Sequence, residues 1–221
     1  MESRAAADLA RSLVRQGIEY LKTASFDAAL AAFAEAAELF KQCGDEVNQA
    51  RQQLLMTNIH ISTGQRDKAL AACREAQALL SAAGDMAETA AVQNNIGLLL
   101  TRMKRYDEAI NTFNDAMRNF EACGQPERVA EQLGNLGSVC RDRQEYAEAL
   151  NYYHRALKIF DKADRPDKVA DQHANIGYIH AMRGDKDAGL AHFEKARALY
   201  EKTGNPAKAK QTGKNIAILK R

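Results

Sequence analysis

Residues 88–127 read ETAAVQNNIGLLLTRMKRYDEAINTFNDAMRNFEACGQPE. In the first half Ala91, Val92, Ile96, Leu99 and Leu100 return at helical spacing, and in the second half Ala109, Ile110, Phe113, Ala116 and Phe120 do the same. The pattern predicts two antiparallel helices joined by a short basic turn at Lys104-Arg105. About 40 residues of this kind recur along the chain in fixed register. Gly44, Gly84, Gly124 and Gly204 share one column, with Asp164 in the remaining place, and the three prolines, Pro126, Pro166 and Pro206, share the column two residues later. A second glycine column runs through Gly17, Gly97, Gly137 and Gly177. Residues that break or tighten a helix fall into such register where one supersecondary unit is repeated, so the chain is expected to be an array whose default function is binding.

The composition agrees. Three prolines, no Trp and abundant Ala, Leu, Glu, Lys, Arg and Gln favour helix throughout, which predicts an all-α chain. A solenoid buries its core between neighbouring repeats, so the length of 221 residues does not bound the number of domains. A net charge of +2 points to no nucleic-acid partner. It conceals an asymmetry: Lys202, Lys208, Lys210, Lys214, Lys220 and Arg221 against Glu201 give the end of the chain about +5 and leave the rest near −3. The simplest reading of that end is a solvated last helix. Cys43, Cys73, Cys123 and Cys140 form no CxxC pair, and Cys43 and Cys123 stand two repeats apart in one register, too far to bridge. Free thiols suit a reducing compartment. The start Met-Glu-Ser-Arg-Ala-Ala-Ala-Asp is no signal sequence, and nowhere do 18 apolar residues occur together, so the expectation is a cytoplasmic protein with no membrane partner.

Small and large residues alternate in the remaining columns. Ala29, Ala69, Ala109, Ala149 and Gly189 form one, Ala36, Ala76, Ala116, Ala156 and Ala196 another, and Phe33, Cys73, Phe113, Tyr153 and Phe193 lie between them. Small side chains let two helix backbones approach, and the large ones fill the space left over. The segment Tyr106-Asp107-Glu108-Ala109-Ile110, followed by Phe113 and Ala116, resembles the second helix of a tetratricopeptide repeat, and Ile96-Gly97 resembles the Leu-Gly of its first helix. The family pattern is met at its Gly, Ala and Phe positions in most units. Its Trp position holds Leu13, Gln53, Gln93, Leu133 and His173, and its Tyr position Tyr20, His60, Leu100, Cys140 and His180. A standard unit has 34 residues, and a period of about 40 also suits a HEAT repeat. The L-G to A-x3-F-x2-A spacing favours a long tetratricopeptide variant, similar to those of Pins-type polarity adaptors, kinesin light chains and bacterial Rap-type regulators. The resemblance implies an α-solenoid of five tandem helix-turn-helix repeats plus a C-terminal capping helix. It would form one domain over residues 1–221, with repeats at about 5–47, 48–87, 88–127, 128–167 and 168–206 and the cap at 207–219.

It also implies that the first helices line a concave face. Asn95, Asn135, Asn175 and Asn215 share one column there, preceded by Arg15 and Leu55 in the first two units. An amide offers both donor and acceptor, so such a ladder can hold an extended peptide backbone; the same asparagines can equally serve to fix the neighbouring helix. Other columns give Arg11, Arg51, Ala91, Glu131 and Asp171; Val14, Leu54, Asn94, Gly134 and Ala174; and Ile18, Asn58, Leu98, Ser138 and Tyr178. The candidate partner-binding residues are therefore Arg11, Arg15, Arg51, Asn58, Asn94, Asn95, Arg102, Asn135, Arg141, Asn175 and Tyr178. The field is expected to be positive near Arg11, Arg15, Lys22 and Arg51 and negative near Glu131 and Asp171, with Arg102 and Arg141 blurring the split. The carboxylate clamp of some tetratricopeptide cochaperones is not present in that form, because Val14, Ile18 and Leu55 stand where Lys and Asn are needed.

No P-loop, G-x-S-x-G, H-E-x-x-H or dinucleotide fingerprint occurs. His173 and His180, seven apart on one helix, stand about 10.5 Å apart along its axis, too far to share a metal directly, and all five histidines read as packing residues. No catalytic residue, metal or cofactor is expected. A Rap-type phosphatase would need a further N-terminal bundle for which residues 1–4 leave no room. The functional expectation is a scaffold or adaptor that binds a peptide or partner segment in its groove. The alternative is a structural subunit that self-associates as a homo-oligomer, or joins a larger assembly, through its ends or convex face.

Overall fold

The structure, a computed structural model, describes residues 2–221. These residues form eleven helices and no strand. In order they are α1 (Glu2–Lys22), α2 (Phe26–Gln42), α3 (Glu46–Ser62), α4 (Arg66–Ala82), α5 (Met86–Arg102), α6 (Tyr106–Ala122), α7 (Pro126–Asp142), α8 (Tyr146–Lys162), α9 (Pro166–Met182), α10 (Lys186–Lys202) and α11 (Pro206–Leu219). The expected fold class is observed: tandem helix pairs, α1 with α2 through α9 with α10, followed by the single helix α11. The chain divides into two compact units, Met1–Asn119 and Phe120–Arg221.

Each helix ends for a local reason. At the end of α2 the Asp45 N–H donates to Phe40 O (2.9 Å) and the Gly44 N–H to Lys41 O (3.0 Å), which closes the two orphan carbonyls of a Schellman turn. Gly44 adopts φ +69°, as that turn requires. Four turns make the same conformation without glycine, at Ala24, Lys104, Gln144 and Asp164, with φ between 50° and 63°. We expect Gln144→Gly, at an exposed position, to raise stability by about 0.5–1 kcal/mol in urea titrations, because the left-handed penalty outweighs the added freedom of the unfolded chain. A loss of stability would contradict that account of the turn. The next helix begins as the sequence implied. Asp45 and Asp85 accept the N–H of Asn48 and Glu88 at 3.0 Å, and Pro126, Pro166 and Pro206 start α7, α9 and α11.

In the first unit, Ala29, Ala36, Ala69, Ala76, Ala109 and Ala116 are wholly buried, as are Phe33 and Phe113. The glycine column explains how rings fit there: a Cβ on Gly97 would lie 2.5 Å from Phe113 Cε1, so the ring of the second helix occupies the space that glycine leaves in the first. The same unit contains one exception. Thr57 stands in the glycine column and Cys73 opposite it in the ring column, both buried, with the Cys73 thiol 3.5 Å from Thr57 Oγ1. The pair moves volume from the second helix to the first and keeps the sum similar. In the second unit the ring of Tyr153 faces Gly137 in the usual way, with its hydroxyl 3.1 Å from Ser138 Oγ, so the buried polar atom is satisfied. A core of Cys140, Ala149, Tyr153, Ile176 and Ile179 results, and Ala170, Ala196, Tyr200 and Ala209 continue it onto α11.

Candidate partner-binding face

In the first unit a cleft of about 420 Å³ is lined by α1, α2 and α3. Val14 of α1, Phe40 of α2, and Leu54 and Leu55 of α3 give it apolar walls, and Arg11, Asn48, Arg51 and Asn58 its polar ones. The structure thus brings Arg11, Arg51 and Asn58, three of the residues singled out by register, to one place. Arg11 pairs with Asp8 at 2.9 Å, an exposed contact of one helical turn worth little against solvent. Arg51 donates to the Asn48 amide oxygen at 3.1 Å and forms no ion pair among the described residues, although Glu88 occupies the register that holds lysine in the second unit. Gln52 also lines the cleft and was missed by the sequence reading. Only 3% of it is exposed; its Nε2 donates to the Asn48 carbonyl, and its Oε1 is buried without a partner. Ile18 on α1 and Leu98 on α5 remain 41% and 39% exposed. Asn94 and Asn95 meet each other on α5, Nδ2 to Oδ1 at 3.4 Å, while Arg15 and Arg102 stand exposed.

The second unit handles charge differently. Glu131, expected to make this part of the face negative, accepts from Lys168 and Arg128 at 3.0 Å each, and these bonds hold its carboxyl below the ordinary range despite partial burial. Asp171 accepts from Lys208 (2.6 Å) and from the Tyr200 hydroxyl (2.7 Å). Burial and that carboxylate push the Tyr200 hydroxyl up. The expected negative pole is therefore neutralised by lysines 37 residues further on, whereas Arg51 is not neutralised. Arg141 and Tyr178 are brought together, the guanidinium 5.9 Å from the ring centroid, and Arg141 also donates to Asp142 at 2.9 Å. The ring stays 44% exposed. Asn135 and Asn175 are half-buried, unlike the exposed Asn95, so the asparagine column does not present one uniform ladder. No helix among the described residues is long and apolar enough to cross a membrane.

The profile of the tetratricopeptide repeat family matches residues 53–122 and 128–209. The chain belongs to the tetratricopeptide repeat family. As a member it is, in general terms, a protein-interaction scaffold. No curated protein matches the sequence itself. Among solved structures it is similar to aspartyl phosphate phosphatase F from Bacillus subtilis, at 18% identity over 96% of this chain and 56% of that one (TM-score 0.81). It is also similar to a putative kinesin light chain with nearly identical repeats from Podosopora anserina, at 14% identity over 90% and 97% of the two chains (TM-score 0.72). A Rap protein complexed with competence and sporulation factor matches at 14% identity over 90% of this chain and 56% of that one (TM-score 0.70). At these identities the likeness is one of fold. The tetratricopeptide chain spans 56% of the length of the two Rap-type structures.

Proposed function

We propose that this tetratricopeptide protein is a non-catalytic adaptor whose first unit holds a partner segment carrying a carboxylate beside an apolar side chain. The observation that carries the reading is the cleft at α1 and α3. Its apolar walls lie beside Arg51, a cation with no carboxylate partner among the described residues. The carboxylate would replace the weak amide contact of Arg51 with a charge-assisted bond, and the apolar side chain would enter between Val14, Leu54 and Leu55. Ile18 of α1 and Leu98 of α5 are further exposed apolar side chains of the same unit. The Rap protein named above is complexed with a factor, which is consistent with a fold of this kind carrying a ligand. The other register residues, Arg15, Asn94, Asn95, Arg102, Asn135, Arg141, Asn175 and Tyr178, are proposed as further contact points along their own helices.

Selection from a random peptide library against the full chain tests the reading. The expected result is enrichment of Asp or Glu adjacent to Leu, Ile or Phe, with affinity falling as salt is raised. Enrichment of basic peptides, or selection insensitive to salt, would contradict it.

A further inference from the structure

His192 of α10 stands among three other imidazoles of the second unit, drawn from α8 and α9. Its ring centroid lies 5.1 Å from that of His173, 5.7 Å from that of His180 and 6.4 Å from that of His154. Nδ1 of His173 and Nδ1 of His192 face each other at 3.0 Å. With one ring protonated at Nδ1 this is a neutral N–H···N hydrogen bond; with both rings protonated at Nε2, two lone pairs face each other at the bite distance of a shared cation. A cation can then take the place of the shared proton while the ring that held it moves its proton to Nε2. Lys195 opposes a cation here, and Asp161 favours one.

The spacing also speaks to the kind of cation. With metal–nitrogen bonds of about 2.0–2.1 Å, two nitrogens 3.0 Å apart subtend roughly 90–95° at the metal. That is the angle of adjacent ligands in a tetragonal or octahedral site, as nickel(II) and copper(II) adopt, and is narrower than a tetrahedral one. Among the described residues no three His, Cys, Asp or Glu side chains converge on one point, so water would complete the coordination. His180, stacked at 14° to His192 and 3.2 Å from Asp185 Oδ2, flanks the pair.

We propose that His173 and His192 form a two-imidazole chelate for a nickel(II)- or copper(II)-type dication, which fastens α9 to α10. Nothing in this inference depends on the partner-binding reading. The test is calorimetric titration of the full chain with nickel(II) chloride, alongside spectra of protein labelled with nitrogen-15 at histidine. The expected result is one nickel per chain and early broadening of the His173 and His192 imidazole signals, with those of His60 unchanged. His192→Gln and, separately, His173→Gln should each weaken binding by about tenfold or more, and His60→Gln should not. Circular dichroism identifies any variant that fails to fold, and the label pattern of the unaltered protein then decides alone. Absence of binding, broadening centred elsewhere, or equal affinity in folded His173 and His192 variants would overturn the proposal.

Discussion

Cys73→Phe should destabilise the protein by about 2–3 kcal/mol, and Thr57→Gly in the same chain should recover most of that loss. Elsewhere in the array a ring on the second helix lies where a glycine Cβ would stand: 2.5 Å away at Gly97 and Phe113, 2.7 Å at Gly137 and Tyr153. Thr57 has a Cβ, a methyl and a hydroxyl at that register, and its hydroxyl donates to Gln53 O at 2.8 Å. A phenyl group at 73 has no room beside it. Thr57→Gly alone should cost about 1–2 kcal/mol, from a lost side chain and a glycine in mid-helix. Combined, the two changes recreate the pairing of the other units, so the double variant should be more stable than Cys73→Phe alone. Denaturant titration of all four proteins gives the coupling directly. Simple additivity would mean that the glycine and ring columns are not one packing device.

Arg51→Glu should reduce affinity for an acidic-apolar peptide by about 10–100-fold and abolish most of its salt dependence. The side chain is exposed, and its single described contact is the Asn48 amide, so the fold should survive, as circular dichroism can verify. Arg51→Gln should fall between the two. The contrast lies in the second unit, where Lys168 and Lys208 already occupy Glu131 and Asp171. Reversing a charge there removes an internal pair and should act on stability more than on binding.

The fold was legible because packing writes itself into register. A ring needs a glycine opposite it and a close helix pair needs alanine, so the columns return every 40 residues wherever the geometry returns. Turn positions were legible for the same reason, including Lys104 and Asp164, which take the left-handed conformation without glycine. The face was less legible. Glu131 and Asp171 looked like free charges because each repeat was read alone, whereas Lys168 and Lys208 reach them from the next one. The pattern was present in the sequence as a spacing of 37 residues, shorter than the period itself. Gln52 escaped notice because a glutamine on a first helix reads as solvated, whereas its side chain is buried and its Nε2 donates to the Asn48 carbonyl. The histidines escaped because His154, His173, His180 and His192 belong to four different columns, so no register joins them. Side chains from three helices bring them together.

The claim that the first unit reads a carboxylate and an apolar side chain together is tested most directly by methyl-labelled spectra of the full chain during titration with a selected peptide. The account predicts that the methyl signals of Val14, Leu54 and Leu55 shift first and in proportion to binding, and that Arg51→Glu removes those shifts. Shifts confined to second-helix methyls such as Leu30 or Leu157, with the cleft signals unmoved, would contradict it.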